Sequence, residues 1–143
     1  MSAERPDSAP YAPWNALSRL RAELCALRGS YTAARGRAFS ISTSRLDGMP
    51  RGTRRAGSRI DHELATRLDL ESDILGKQIE IAETWGVLYR RIHTIPDSRL
   101  RLILGLRFLD GLPWKQVARE IGKPETADSA RRSVERFFGG ENP

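Results

Sequence analysis

Between Ile60 and Ile95 the apolar residues return at the period of a helix: Leu64, Leu68, Leu75, Ala82, Trp85, Tyr89 and Ile92 form one stripe, widened on a flank by Ile74, Ile81 and Leu88. Such a stripe must be covered. At about 1.5 Å per residue the helix runs roughly 50 Å. An earlier run, Leu17, Leu20, Leu24, Leu27 and Tyr31, repeats at the same spacing and predicts a partner helix over 14–34. That helix is too short to cover all of the long one, so the remainder calls for a second partner, and a homodimer through the long helix is the simplest. Glu71 and Gln78 interrupt the seam, which argues against a pure coiled coil.

The stretch 35–59, RGRAFSISTSRLDGMPRGTRRAGSR, has no apolar period and fills with Gly, Ser, Thr, Pro and Arg, which predicts a loop. It carries seven arginines against one aspartate, an excess equal to the chain's whole formal charge of +6. The surplus is therefore local. Net charge by itself is weak evidence for a partner, because 21 Arg against 3 Lys also fits a codon bias. The 143 residues suit one small domain or two subdomains and give no room for a broad buried cleft. A single cysteine, Cys25, allows no internal disulfide; beside the leucine seam it reads as a buried or half-buried small hydrophobe. Residues 1–13 are polar and proline-bearing, which predicts a flexible N-terminus without a signal peptide. No apolar run reaches membrane-spanning length, so a cytoplasmic protein is expected.

Pro96 closes the long helix, and 96–138 reads as three short helices followed by a tail, 139–143. Asp97 can cap the first, which buries Leu100, Ile103, Leu104 and Phe108 and ends near Gly111. Pro113 is expected at the first position of the second, where Trp114, Val117, Ala118 and Ile121 share a face before Gly122. Thr126 can cap the third, which buries Ala127, Ala130, Val134 and Phe137 or Phe138 and stops at Gly139-Gly140. Small Ala118 beside a turn at Gly122 makes the last two a helix-turn-helix. Opposite Ala130 and Val134 the third helix presents Glu125, Asp128, Ser129, Arg132 and Arg136, with Arg131 on the shoulder. A ligand-free three-helix bundle is the plainer reading of the same pattern.

The fold class expected is thus all-α: a helical hairpin over 14–95 with its Arg-rich loop, then a helix-turn-helix domain. Ile95-Pro96-Asp97-Ser98-Arg99-Leu100-Arg101, Leu106-Arg107-Phe108-Leu109-Asp110-Gly111-Leu112-Pro113-Trp114 and Gln116-Val117-Ala118 with Ile121-Gly122 resemble region four of bacterial sigma factors. They are more similar still to phage and prophage proteins with a sigma-region-four-like C-terminal half, a group overlapping the ArpU- and RinA-type late-gene transcriptional regulators. Those proteins tend to carry an N-terminal hairpin with a Met-Pro-Arg-Gly run in its loop, and Met49-Pro50-Arg51-Gly52 stands in that place. The resemblance implies binding of double-stranded DNA and control of phage transcription near the host nucleoid. Two departures matter. The turn Lys123-Pro124-Glu125-Thr126-Ala127-Asp128 is about two residues longer than the sigma pattern, and Pro113 replaces the usual hydroxyl residue, removing one phosphate contact. A segment for promoter melting is missing, so a complete sigma factor is excluded.

In a helix-turn-helix the last helix enters the major groove. Ser129 and Arg132 are expected to read bases, with Asp128 accepting from cytosine or orienting Arg132. Lys115, Lys123, Arg131 and Arg136 are better placed for phosphates. For each arginine a solvated or ion-paired surface role is the plain alternative. Arg45, Arg51, Arg54, Arg55 and Arg59 form a candidate basic arm on DNA; the same loop suits docking on an acidic partner such as RNA polymerase, or a solvated linker. Two other functions share the architecture: a small terminase subunit recognising packaging DNA, and a helical module that binds polymerase without reading DNA. No enzyme is expected. His62 and His93 stand 31 residues apart on one helix and cannot share a metal or a base, Asp69, Glu71 and Asp73 spread around a solvated face, and no Walker, Rossmann or zinc-finger spacing occurs. Neither cofactor nor metal is implied. Trp14, Trp85 and Trp114 fall on apolar stripes, where core packing outweighs base stacking.

Overall fold

The computed structural model describes residues 12–43 and 53–141, and side chains over 12–38 and 59–140. Among them are five α-helices and no strand: α1, Ala16–Thr43; α2, Thr53–His93; α3, Ser98–Leu104, which continues into a π-helical stretch Gly105–Leu109; α4, Trp114–Ile121; and α5, Ala127–Glu141. The chain is all-helical, as its periodicity predicts. The helices overrun their expected limits, however. α1 reaches Thr43 and α2 begins at Thr53, so most of the stretch 35–59 is helical and only 44–52 lies outside both helices and outside the described residues. The physical reason is that apolar period reports burial, whereas Arg and Ala sustain a helix without any. α5 likewise passes through Gly139-Gly140 to Glu141.

Contacts divide the chain into two compact units, Arg21–Glu80 and a second drawn from residues up to Leu20 and from Ile81 onward. This differs from a boundary at residue 95.

In the first unit α1 and α2 run antiparallel, fixed by three pairs that descend along α2 as α1 ascends. Lys77 Nζ donates to Glu23 at 2.7 Å, Tyr31 Oη donates to Glu71 at 2.8 Å, and Arg37 lies 3.8 Å from Glu63. Lys77 also donates to Glu80 at 2.9 Å, and these two hydrogen bonds hold its pKa above the ordinary lysine value. Leu24 and Leu27 are half-buried and Ala34 is buried on α1, and Leu70 and Ile74 are half-buried on α2. This corrects the expected stripe. Leu64, Leu68 and Leu75 face solvent, and the flank of α2 that bears Lys77 is the one paired with α1 through Glu23. Cys25 is exposed, not buried, since it stands about 100° around the helix from Leu24.

The second unit has a dense core of Leu17, Leu88, Ile92, Ile103, Leu104, Phe108, Val117, Ala130, Val134 and Phe138, all under 9% exposed, closed by Trp14 at 1%. The Trp14 ring lies 5.4 Å from Phe108 and 5.3 Å from Phe138, centre to centre, and the Arg91 guanidinium covers it at 5.1 Å. Trp114 is half-buried, whereas Trp85 is 39% exposed and stacked on Tyr89, contrary to a core role for all three tryptophans. Local chemistry sets the turns. Asp97 accepts from the N–H groups of Arg99 and Leu100 at 3.0 and 3.3 Å and starts α3. Gly111 and Gly122 take positive φ of 72° and 87°, which an L side chain rarely adopts. Pro113 stands at the N-cap of α4, one place ahead of the expected position.

Candidate nucleic-acid interface

α4 and α5 are joined by the turn Gly122–Thr126, and a reciprocal cap fixes where α5 begins. The Ser129 N–H donates to Thr126 Oγ1 at 3.1 Å while the Thr126 N–H donates to Ser129 Oγ at 3.0 Å. Ser129 Oγ in turn donates to Glu125 Oε1. Its hydroxyl is thus spent on the turn, and Ser129, expected to read bases, is placed as a structural residue. Glu125 leaves the outward face as well. Its side chain is only 6% exposed and takes a two-pronged contact from Arg99 on α3, Nε to Oε2 at 2.7 Å and Nη2 to Oε1 at 2.8 Å. Arg99 Nη1 also donates to Ser133 Oγ at 3.1 Å, and Ser133 Oγ donates to the Ser129 carbonyl at 2.9 Å. The Arg99 guanidinium holds the Glu125 carboxyl below its ordinary pKa, and Glu125 raises that of Arg99. One network therefore joins α3, the turn and α5.

The loop before α4 is tied similarly. Arg107 Nη1 donates to the Leu112 carbonyl at 2.9 Å, and its guanidinium lies 4.8 Å from the centre of the Trp114 ring. Burial pushes the Arg107 pKa down. Arg99, Glu125, Ser133 and Arg107 escape a reading of sequence, since they meet across 26 to 34 positions or through backbone carbonyls.

Outside this frame the expected contact residues stand on the surface. Asp128, Arg132 and Arg136 are exposed along α5 on the face turned away from buried Ala130, Val134 and Phe138, and Arg131 is exposed on the shoulder beside Phe138. Asp128 occupies the first turn, where a carboxylate also suits the helix dipole. Arg131 approaches Glu135 at 3.5 Å with both about half exposed, and Arg136 Nε donates to the Arg132 carbonyl at 3.3 Å. Lys115, at the start of α4, and Lys123, in the turn, are exposed. No family model matches this chain, and no curated protein or solved structure does. Function has to be argued from these residues.

Of the basic arm, Arg45 and Arg51 lie outside the described residues, and Arg54 and Arg55 fall in the first turn of α2 with side chains outside them. Arg59 is exposed on α2. Among the described residues no group of three or more His, Cys, Asp or Glu is placed to hold a metal ion, and no helix is long and apolar enough to cross a membrane.

Proposed function

We propose that the chain binds double-stranded DNA through α4 and α5 and acts as a transcriptional regulator of the phage and prophage type with a sigma-region-four-like helix-turn-helix. The observation that carries this reading is the outward face of α5: exposed Arg132, Arg136 and Asp128 opposite a closed apolar core, with exposed Arg131 on the shoulder and exposed Lys123 in the turn. Arg132 reads a base, with Asp128 accepting from cytosine or steering that arginine. Lys115, Lys123, Arg131 and Arg136 engage phosphates and set the register. The basic arm and a contact with RNA polymerase are secondary parts of the same proposal. The place of action that follows is the cytoplasm of a bacterial host, at the nucleoid.

Selection of the full chain on a pool of randomised duplexes tests it. One enriched motif is expected, and Arg132→Ala should weaken that motif roughly tenfold while changing random duplex little. Arg131→Ala should weaken both and flatten the salt dependence. Absence of duplex affinity at low salt would overturn the reading in favour of a polymerase-binding module, and a ring of eight or more subunits would favour a small terminase.

A further inference from the structure

Five large apolar side chains on α2, Ile60, Leu64, Leu68, Leu75 and Ile79, are between 37% and 60% exposed, and all lie within Arg21–Glu80. At about 100° per residue they share a band about 100° wide, interrupted by Glu71 and edged by Asp61 and Gln78. From Leu64 to Leu75, and from Leu68 to Ile79, is three helical turns in 11 residues, close to the natural helix period, so the band runs nearly parallel to the helix axis. α1 lies on the other flank, through the contacts of Lys77 and Glu71. An exposed band with five large apolar side chains on one helix is an interface feature.

The band is also self-complementary in one direction only. Reversed against itself, Ile60 meets Ile79, Leu64 meets Leu75 and Leu68 meets the stem of Glu71. Run parallel to itself, Glu71 meets Glu71 in the middle of the seam, a like-charge contact. In the reversed pairing the rim charges also match. Arg67 lies about 40° from Glu71 on the same flank, and like flanks face each other across an antiparallel two-fold axis. The Arg67 guanidinium covers the Tyr31 ring at 5.9 Å, pairs with no carboxylate among the described residues, and has a buried Nε without a hydrogen-bond partner. Glu71 of a second copy would stand beside it.

We infer that the chain forms an antiparallel homodimer through Ile60, Leu64, Leu68, Leu75 and Ile79 of α2. This does not rest on the DNA-binding reading, since no residue of α4 or α5 takes part. Light scattering on the full chain should give twice the 16.1 kDa chain mass at micromolar concentration. Leu64→Glu with Leu75→Glu should raise the dissociation constant at least about 100-fold with helix content unchanged. Register is tested by cysteine cross-linking in a Cys25→Ser background. Ile60→Cys mixed with Ile79→Cys should form a covalent pair under oxidation, whereas neither should cross-link alone. A monomer, a mixture that stays uncrosslinked, or self-linking of Ile60→Cys would each overturn the inference, the last by showing a parallel pair.

Discussion

Replacing Trp14 by Ala is expected to destabilise the unit that carries α4 and α5 by about 3–5 kcal/mol, the range for deleting a buried aromatic from a close-packed core. The ring is 1% exposed and meets Phe108, Phe137 and Phe138 at centre distances of 5.4, 6.1 and 5.3 Å. Three rings on one side of the void cannot all close it without leaving their own packing, so the cavity term adds to the lost transfer energy. The Arg91 guanidinium, 5.1 Å above the ring, would lose its aromatic partner as well. Urea denaturation followed by circular dichroism measures the effect. A loss under about 1 kcal/mol would show that Trp14 only covers a core that closes without it. Trp14→Phe, which keeps a ring in the cage, should recover more than half of the loss.

The second large effect is expected from Arg99→Ala, which removes the cation from Glu125, 6% exposed in the intact pair, and takes a donor from Ser133. Removing one partner of a fully buried pair costs about 3–5 kcal/mol, but Arg99 is 45% exposed, so solvent screening brings the expected loss to about 2–3 kcal/mol. The pH dependence separates this cause from lost packing. Because the folded Glu125 pKa is depressed by Arg99, the pair stabilises fully above the ordinary glutamate value near ~4.3, and that contribution disappears as pH falls through the lower folded value. In Arg99→Ala the largest cause of the depression is gone, and burial opposes what the Ser129 hydrogen bond still contributes. Wild type should therefore exceed the variant most near neutrality, with the gap narrowing below about pH 4.5. A gap unchanged from pH 7 to pH 3 would overturn the electrostatic account.

What could be read from the residues alone was local chemistry. Asp97 and Thr126 cap helices, and Gly111 and Gly122 end them, because each answers to the backbone within three or four positions. Ser129 belonged to the same class and was legible as half of a Thr-x-x-Ser box. Its polarity on an arginine-bearing helix instead suggested a partner outside the chain. The face of α2 that meets α1 was not legible from period alone. Two adjacent apolar bands compete there, and the inner one is chosen partly by Lys77 and Glu71, polar residues that count against burial until Glu23 and Tyr31 are seen beside them. The helix through 35–43 was hidden for the opposite reason, having no apolar face to announce it. Trp14 was expected in a core, yet no spacing rule names partners as far along the chain as Phe108 and Phe138.

That last contact also orders events in time. Trp14 and Phe138 stand 124 positions apart. On a ribosome Trp14 emerges early, and it must wait for nearly the whole chain before its aromatic partners exist. Closing so long a loop carries an entropic cost that grows with the logarithm of its length, and only the final contacts offset it. The antiparallel stretch of α1 and α2 can assemble while synthesis continues, but the unit that contains α5 completes after translation has passed residue 138.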